Sequence, residues 1–297
     1  MKHLIGFIGY GEAAYNISLG LASEGMKTMG AFDVMQNDIQ RGEKIKSHAA
    51  EAGVELEPSL ESLCKNSDFI ISLTSPAICI EVAKQAFPFI TSGQVFCDFN
   101  SADPTDMAII DKLPRPEGVL FTDVAVLGSV PKTKHRTKMY MCGDGAKKFY
   151  EMFKQWNTVL KLIDAPAGGA SAIKMFKSVF SKGLPQLFLE TYVPAASYGV
   201  YEEILSLTKD TFKNTDIEKW CNENLFRTLI HAKRRSAEAE YCARTVERLG
   251  FDASMSKAVH HKLCMLADQN YKDKIGDKKP NMRETVEMVM QDLKGKK

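Results

Sequence analysis

Paired cysteines are missing from this 297-residue chain: its seven cysteines are scattered, odd in number and free of any C-x-x-C spacing. That argues against a disulfide frame or a zinc site, and for reduced thiols in a cytoplasm. An excess of charge is missing too. With 39 basic and 37 acidic side chains there is no broad electrostatic case for nucleic acid or a membrane surface as partner. No apolar run is long enough to span a bilayer. The first apolar run starts within a few residues of the N-terminus, so neither an export signal nor a membrane anchor is expected. Repeats and low-complexity linkers are absent. His260 and His261 are adjacent and would point apart on a helix, so no metal site is expected. What remains is 44% hydrophobic, ample for sizeable cores, and long enough for two domains on a prior of roughly 150 residues each.

The stretch from Leu4 to Asp33 reads as strand, glycine turn, helix and second strand. The apolar run Leu4-Ile5-Gly6-Phe7-Ile8 suits a buried parallel strand. It ends at Gly9-Tyr10-Gly11-Glu12-Ala13-Ala14, a G-x-G-x-x-A pattern. The first glycine permits a tight turn, the second lets backbone approach a pyrophosphate, and the small third residue lets helix and strand lie close. The helix N-terminus would offer free N–H groups to the phosphates. Such a pattern alone also fits an ordinary strand-to-helix turn, so context decides. Ala14, Ile17 and Leu21 recur at helical spacing, Gly25 supplies a stop, and Met26 to Phe32 reads as a strand ending in Asp33. An acid there would bind the ribose hydroxyls of NAD and repel the 2′-phosphate of NADP. Arg41 is the first arginine after it, within reach from the next helix.

Strand and helix patterns keep alternating: strands at Asp68 to Leu73, Gln94 to Asp98, Val119 to Val126, Lys138 to Cys142 and Val159 to Ile163, with a helix from Ala146 and another opened by Pro104 behind a Ser101 or Asp103 cap. This predicts an α/β Rossmann-type doubly wound, mostly parallel sheet. Its ligand would sit beyond the carboxyl ends of the strands, where the loops at Gly9, at Leu73-Thr74-Ser75 and at Asn100 lie. Past Asp164 strand signals nearly vanish. The expected organisation is a nucleotide-binding domain at 1–164 and an all-α C-terminal domain at 165–297. Ile173, Phe176, Phe180, Leu184 and Leu187 mark an apolar helix face that Pro185 should kink or interrupt. Further helices are expected over Asp216 to Leu249, Ser254 to Gln269 and Arg283 to Leu293, and apolar stripes among them favour a homodimer. The end, with Lys272, Lys274, Lys278, Lys279 and Gly295-Lys296-Lys297, reads as a solvated basic tail.

The helical part opens with Gly168-Gly169-Ala170-Ser171-Ala172-Ile173-Lys174-Met175-Phe176-Lys177-Ser178. Ser171, Lys174 and Ser178 share one helix face, opposite Ile173, Phe176 and Phe180. A polar stripe there would look into the ligand cleft; the bland alternative is an exposed lysine on an amphipathic helix. His231, Arg234, Arg235 and Glu238 form either a charged face with an internal ion pair or an acid-binding group. Lys132, Lys134, His135, Arg136 and Lys138 read as a solvated basic loop.

Together these stretches resemble the β-hydroxyacid dehydrogenase superfamily, which includes 3-hydroxyisobutyrate dehydrogenase and 6-phosphogluconate dehydrogenase, over almost the whole chain. GFIGYGEAA is similar to its dinucleotide loop, and Asp98 to Pro104 to its D-x-S-T-x-x-P substrate stretch. Asp123 to Ser129 is similar to D-A-P-V-S-G-G, and GGASAIKMFKS to its G-x-G-x-x-x-K-x-x-N-N helix. The resemblance implies an NAD-dependent dehydrogenase for a small anionic hydroxy acid or oxo acid, with Lys174 as general base and acid. It implies cofactor contacts from Gly9, Tyr10, Gly11, Glu12, Ala13, Asp33, Leu73, Thr74, Ser75 and Asn100. Substrate contacts would come from Asn100, Ser101, Gly128, Ser129, Lys174 and Ser178. Ser178 departs from the family asparagine, Leu127 from its serine, and Ser129 from a glycine; Asn100-Ser101 is closer to the G-N-S of 6-phosphogluconate dehydrogenase. GSVP, KMFKSVFSKG and HAKRRSAEAE resemble a little-characterised short phosphogluconate-dehydrogenase-like subgroup. An imine reductase of the same superfamily is the alternative, against which the retained Lys174 counts. From another class, a catalytically silent NAD-binding sensor or scaffold is the second alternative.

Overall fold

β1 (His3–Ile8) is buried along nearly its whole length and pairs in parallel with β2 (Met29–Phe32) on one side and β4 (Ser67–Ser72) on the other. In a parallel sheet both faces are covered, which is why these strands read as near-continuous apolar runs. The structure, a computed structural model, describes residues 2–213 and 215–294; the basic end at Gly295, Lys296 and Lys297 lies outside them. β5 (Val95–Asp98) and β6 (Leu120–Leu127) continue the parallel sheet beyond β4. β7 (Lys138–Cys142) joins antiparallel to β6, and β8 (Leu160–Leu162) runs parallel to β7. The unanticipated β3 (Val54–Leu56) closes the other edge, giving the order β3-β2-β1-β4-β5-β6-β7-β8. At three residues β3 is too short to show a period. β2 starts later than expected because Met26 is spent on the turn, where its N–H donates to Leu21 O.

The chain winds outward from β1 in both directions, so a crevice opens between the carboxyl ends of β1 and β4. Alternate side chains feed two cores. Phe7, Phe69 and Ile71 join Ile17, Leu21, Phe149 and Phe153 on one face, while Ile70, Phe96 and Phe121 join Ala83, Ile90 and Met107 on the other. The covering helices are α1 (Glu12–Ser23), α2 (Gly42–Ala52), α3 (Leu60–Asn66), α4 (Cys79–Ala86), α5 (Pro104–Lys112), the short α6 (Val130–Thr133) and α7 (Ala146–Phe153). At α5 the cap is Asp103, whose side chain accepts from Thr105 N at 2.7 Å, with Pro104 in the first helical position.

The chain divides into units spanning 1–179 and 180–297, and the division falls within α8 (Gly169–Tyr198). Pro185 does not interrupt α8. The hydrogen bond that proline removes would have gone to Ser181, which is exposed, so water can satisfy that carbonyl. The second unit has helices and no strand among its described residues, with α9 (Tyr201–Phe212), α10 (Ile217–Ile230), α11 (Ala232–Arg248), α12 (Ser254–Ala267), α13 (Tyr271–Ile275) and α14 (Met282–Lys294). The helical stretch expected from Asp216 to Leu249 is therefore two helices, parted at His231, whose φ of −107° and ψ of 14° leave the helical basin. Glu190 on α8 caps α12, its carboxylate accepting from the N–H groups of Met255 and Ser256 at 2.7 Å each. Among the described residues no helix is long and apolar enough to cross a membrane, and no group of His, Cys, Asp and Glu could hold a metal ion.

Candidate functional site

Gly9 leaves β1 with φ +84°, and a Cβ there would lie 2.5 Å from Leu73 O, so both conformation and space demand glycine. Gly11 is different. Its φ is −82°, open to any residue, and a Cβ there would meet no atom within 4 Å. The folded chain itself makes no demand for glycine at this position; a ligand approaching the backbone would. Tyr10 turns its ring into the core against Phe7 and pairs its hydroxyl with Ser18 Oγ at 2.7 Å. Burial pushes that phenol up to about 12. Tyr10 therefore serves the turn through its backbone N–H, which donates to Asp33 Oδ2 at 2.7 Å. Asp33 Oδ1 accepts from Met35 N at 2.8 Å, so the carboxylate at the end of β2 braces the glycine turn. A groove of about 340 Å³ runs beside it, lined by Tyr10, Gly11, Glu12, Asp33 and, from α2 and the loop before it, Gln40, Arg41, Lys44 and His48.

Asn100 ties together the loops that leave β4 and β5. Its Oδ1 accepts from Thr74 N at 2.7 Å, and its Nδ2 donates to Ser72 Oγ and to Asp98 Oδ2 at 3.0 Å each. Asp98 Oδ1 accepts from Asn100 N at 2.8 Å. Asp98 is fully buried, and that burial, reinforced by the neighbouring Asp123 carboxylate, pushes its carboxyl up to about 7 against the opposing Asn100 hydrogen bonds. Both amide hydrogens of Asn100 are thus in use. Its part in any ligand site runs through the loops it clamps.

Asp123 lies beside Asp98 in register on β6 and anchors α8. Its Oδ2 accepts from the N–H groups of Gly168 and Ser171 at 3.0 and 3.1 Å, and its Oδ1 from Ser171 Oγ at 2.7 Å. The two N–H donors belong to the helix N-terminus, where a carboxylate is favoured. Gly168, at φ +97° with a Cβ position 2.5 Å from Pro104 O, lets α8 start hard against α5. Lys174 follows Ser171 by three residues and is half-buried.

Lys174 lines a cavity of about 570 Å³ together with Gly11, Glu12 and Ala13 from α1, Leu73 and Thr74 after β4, Asn100 and Ser101 after β5, and Gly128 after β6. Ile17, Pro76, Phe99, Val126 and Val130 supply its apolar wall. Ser75, Ser129 and Ser178 do not line it. The sequence read Ile17 and Val126 only as helix and strand positions, and Pro76, Phe99 and Val130 each lie next to a residue singled out there. A dinucleotide fits three features: the open space over Gly11, the first turn of α1 with no side-chain cap, and Thr74 Oγ1, buried without a hydrogen-bond partner. Gly9 to Ala13 would hold its pyrophosphate, Asp33 a ribose, and Leu73, Thr74 and Asn100 the loops beside its reactive end.

Other charged groups singled out in the sequence have partners within the chain. Arg234 pairs with Glu238 at 2.5 Å, and Arg235 Nη1 donates to Thr228 Oγ1 at 2.6 Å. In the basic loop Arg136 pairs with Glu24 at 2.8 Å, and His135 is buried. A larger groove of about 760 Å³ between α10 and α14 is lined by Ile217, Glu218, Cys221, Asn222, Arg283 and Glu287 among others.

The family described as the NAD binding domain of 6-phosphogluconate dehydrogenase matches residues 4–171, more than half of the chain, and a domain of unknown function, DUF1932, matches 195–263. An uncharacterized 28.5 kDa protein of Methanothermus fervidus is 28% identical over 234 residues, covering 79% of this chain and 87% of that protein. A conserved hypothetical protein from Sinorhizobium meliloti 1021 superposes with a TM-score of 0.62 at 28% identity, over 98% of this chain and 97% of the other. An imine reductase from Myxococcus stipitatus, solved with NADP+, shares the fold with a TM-score of 0.70 at 12% identity, over 96% and 99% of the two chains. The chain belongs to the family of the 6-phosphogluconate dehydrogenase NAD-binding domain, within the β-hydroxyacid dehydrogenase-like superfamily.

Proposed function

We propose that the protein is an NAD-dependent oxidoreductase acting on the CH–OH group of a small hydroxy acid, a 3-hydroxy acid or sugar acid, with Lys174 as general base and, in reverse, general acid. One observation carries this reading: Lys174 lines the same cavity as the first turn of α1, Asn100, Ser101 and Gly128. The bound dinucleotide supplies the hydride acceptor. Lys174, in its neutral form, takes the hydroxyl proton at Nζ and returns it when the oxo acid is reduced. The backbone N–H at Gly128, with the Ser101 hydroxyl, holds the substrate carboxylate. Asn100 keeps the Thr74 and Ser101 loops in place around it, and Asp123 holds α8 so that Lys174 faces the reacting carbon. The apolar wall excludes water from that end.

Asp33 supports NAD. Arg41 and Lys44 in the same groove support a second reading, in which a 2′-phosphate is accepted. The apolar wall likewise supports an imine as a second substrate class, against which the retained Lys174 counts. The working form is a homodimer in the cytoplasm. The dimer is supported by exposed apolar side chains on α8 and α9, and the compartment by seven cysteines without a disulfide. A panel of 3-hydroxy acids, their oxo acids and cyclic imines, assayed with NAD(H) and NADP(H), tests the reading. Hydroxy-acid-dependent NAD reduction is the expected result. Nucleotide binding without turnover of any member would favour a silent sensor instead.

A further inference from the structure

We propose that Glu12 sets the affinity for the dinucleotide: its carboxylate occupies the positive end of α1 in the cofactor-free protein and opposes the pyrophosphate when cofactor binds. This rests on the dinucleotide reading of the site. Glu12 is the first residue of α1 and the one acid in its first turn, behind Gly11, which offers no side-chain cap. The amides of that turn carry the equivalent of about half a positive charge. That charge attracts a nearby carboxylate and a phosphate alike. Glu12 is exposed and lines both the groove beside Asp33 and the cavity that holds Lys174. A dinucleotide reaching from one to the other passes it.

Among the described residues no ion pair to its carboxylate is present, and Asp33, across the glycine turn, adds a second negative charge. The cations are Arg41 and Lys44 on the groove side and Lys174 on the cavity side. A pyrophosphate brings two negative charges to the amides of the turn that Glu12 opens. Two anions therefore compete for one helix end. A purely structural role for Glu12, stabilising the helix end, would affect folding alone. The competition moves two observables in opposite directions.

The test is Glu12→Gln, with Glu12→Asp as a charge-retaining control, titrated with NADH by fluorescence at low and high salt, and with NADPH in parallel. At low ionic strength Glu12→Gln is expected to bind NADH roughly three- to tenfold more tightly than wild type. The gap should narrow at about 0.3 M salt, where exposed charges are screened. Glu12→Asp should bind like wild type. Without cofactor, Glu12→Gln should melt slightly lower, because the helix end has lost its counter-charge. Equal or weaker NADH binding by Glu12→Gln at low salt, or a gap that ignores salt, overturns the proposal and leaves the cofactor site standing. Binding of neither nucleotide to wild type or variants would overturn the cofactor reading and this proposal together.

Discussion

At Gly11 the backbone can accept alanine, since φ is −82° and a Cβ there meets nothing within 4 Å. The expected outcome for Gly11→Ala is a protein that melts within a degree or two of wild type and loses more than about tenfold in NADH affinity, because the methyl takes the space of a close pyrophosphate. Wild-type NADH binding by this variant, measured beside its thermal melt, would remove the reason for glycine at 11. Asp98 gives a pH signature. Its folded-state value, about 7, lies above that of an unfolded aspartate. The native state therefore holds the extra proton between pH 4 and 7, and stability falls as pH rises through that window and levels off above it. The loss from this one group is on the order of 4 kcal/mol. Denaturant midpoints from pH 4.5 to 8 should show the decline in wild type and a flatter profile in Asp98→Asn. Parallel profiles for the two would mean that Asp98 is ionised throughout.

For α8 the decisive contacts come from another element. Asp123→Ala leaves the amides of Gly168 and Ser171 and the Ser171 hydroxyl without their acceptor in a buried place. It should cost about 3 kcal/mol in urea unfolding. Ser171→Ala, which removes one donor only, should cost about 1 kcal/mol. Equal stability of Asp123→Ala and wild type would mean that α8 is seated without the carboxylate. The sequence marked Asp123 only as the start of the stretch similar to D-A-P-V-S-G-G; its hold on α8 was not legible, because its partners lie 45 and 48 residues downstream. What was legible is local: the β1, glycine turn, α1, β2 unit, the Asp103 cap with Pro104, and the start of α7 at Ala146. Periodicity and turn residues decide these within a few residues. β3 was missed because it is three residues long, and α9 because its apolar residues form no buried stripe: none of its side chains is buried. Lys174 could be named from its neighbours in sequence; that it shares a cavity with Gly128 and Asn100 is a property of the sheet order.

Over the whole molecule, large apolar side chains stay in water on α8 and α9. Phe180 is 63%, Tyr198 71%, Leu207 63% and Phe212 52% exposed. Such density is the mark of a surface that is covered in use. Light scattering at micromolar concentration should give twice the 33.1 kDa chain mass, and Phe180→Glu with Leu207→Glu should shift it to the single chain; a wild-type monomer would contradict the dimer. The seven cysteines carry no disulfide, so reductant should leave the melting temperature unchanged. The account turns on Lys174 as the group that moves the proton. Its most direct test is the turnover of Lys174→Met on the hydroxy acid selected by the panel, with NADH affinity measured on the same preparation. The expected result is turnover lowered by roughly 100-fold or more with NADH affinity nearly unchanged. Turnover at the wild-type rate would contradict it and reduce Lys174 to one more lysine on a solvated helix face.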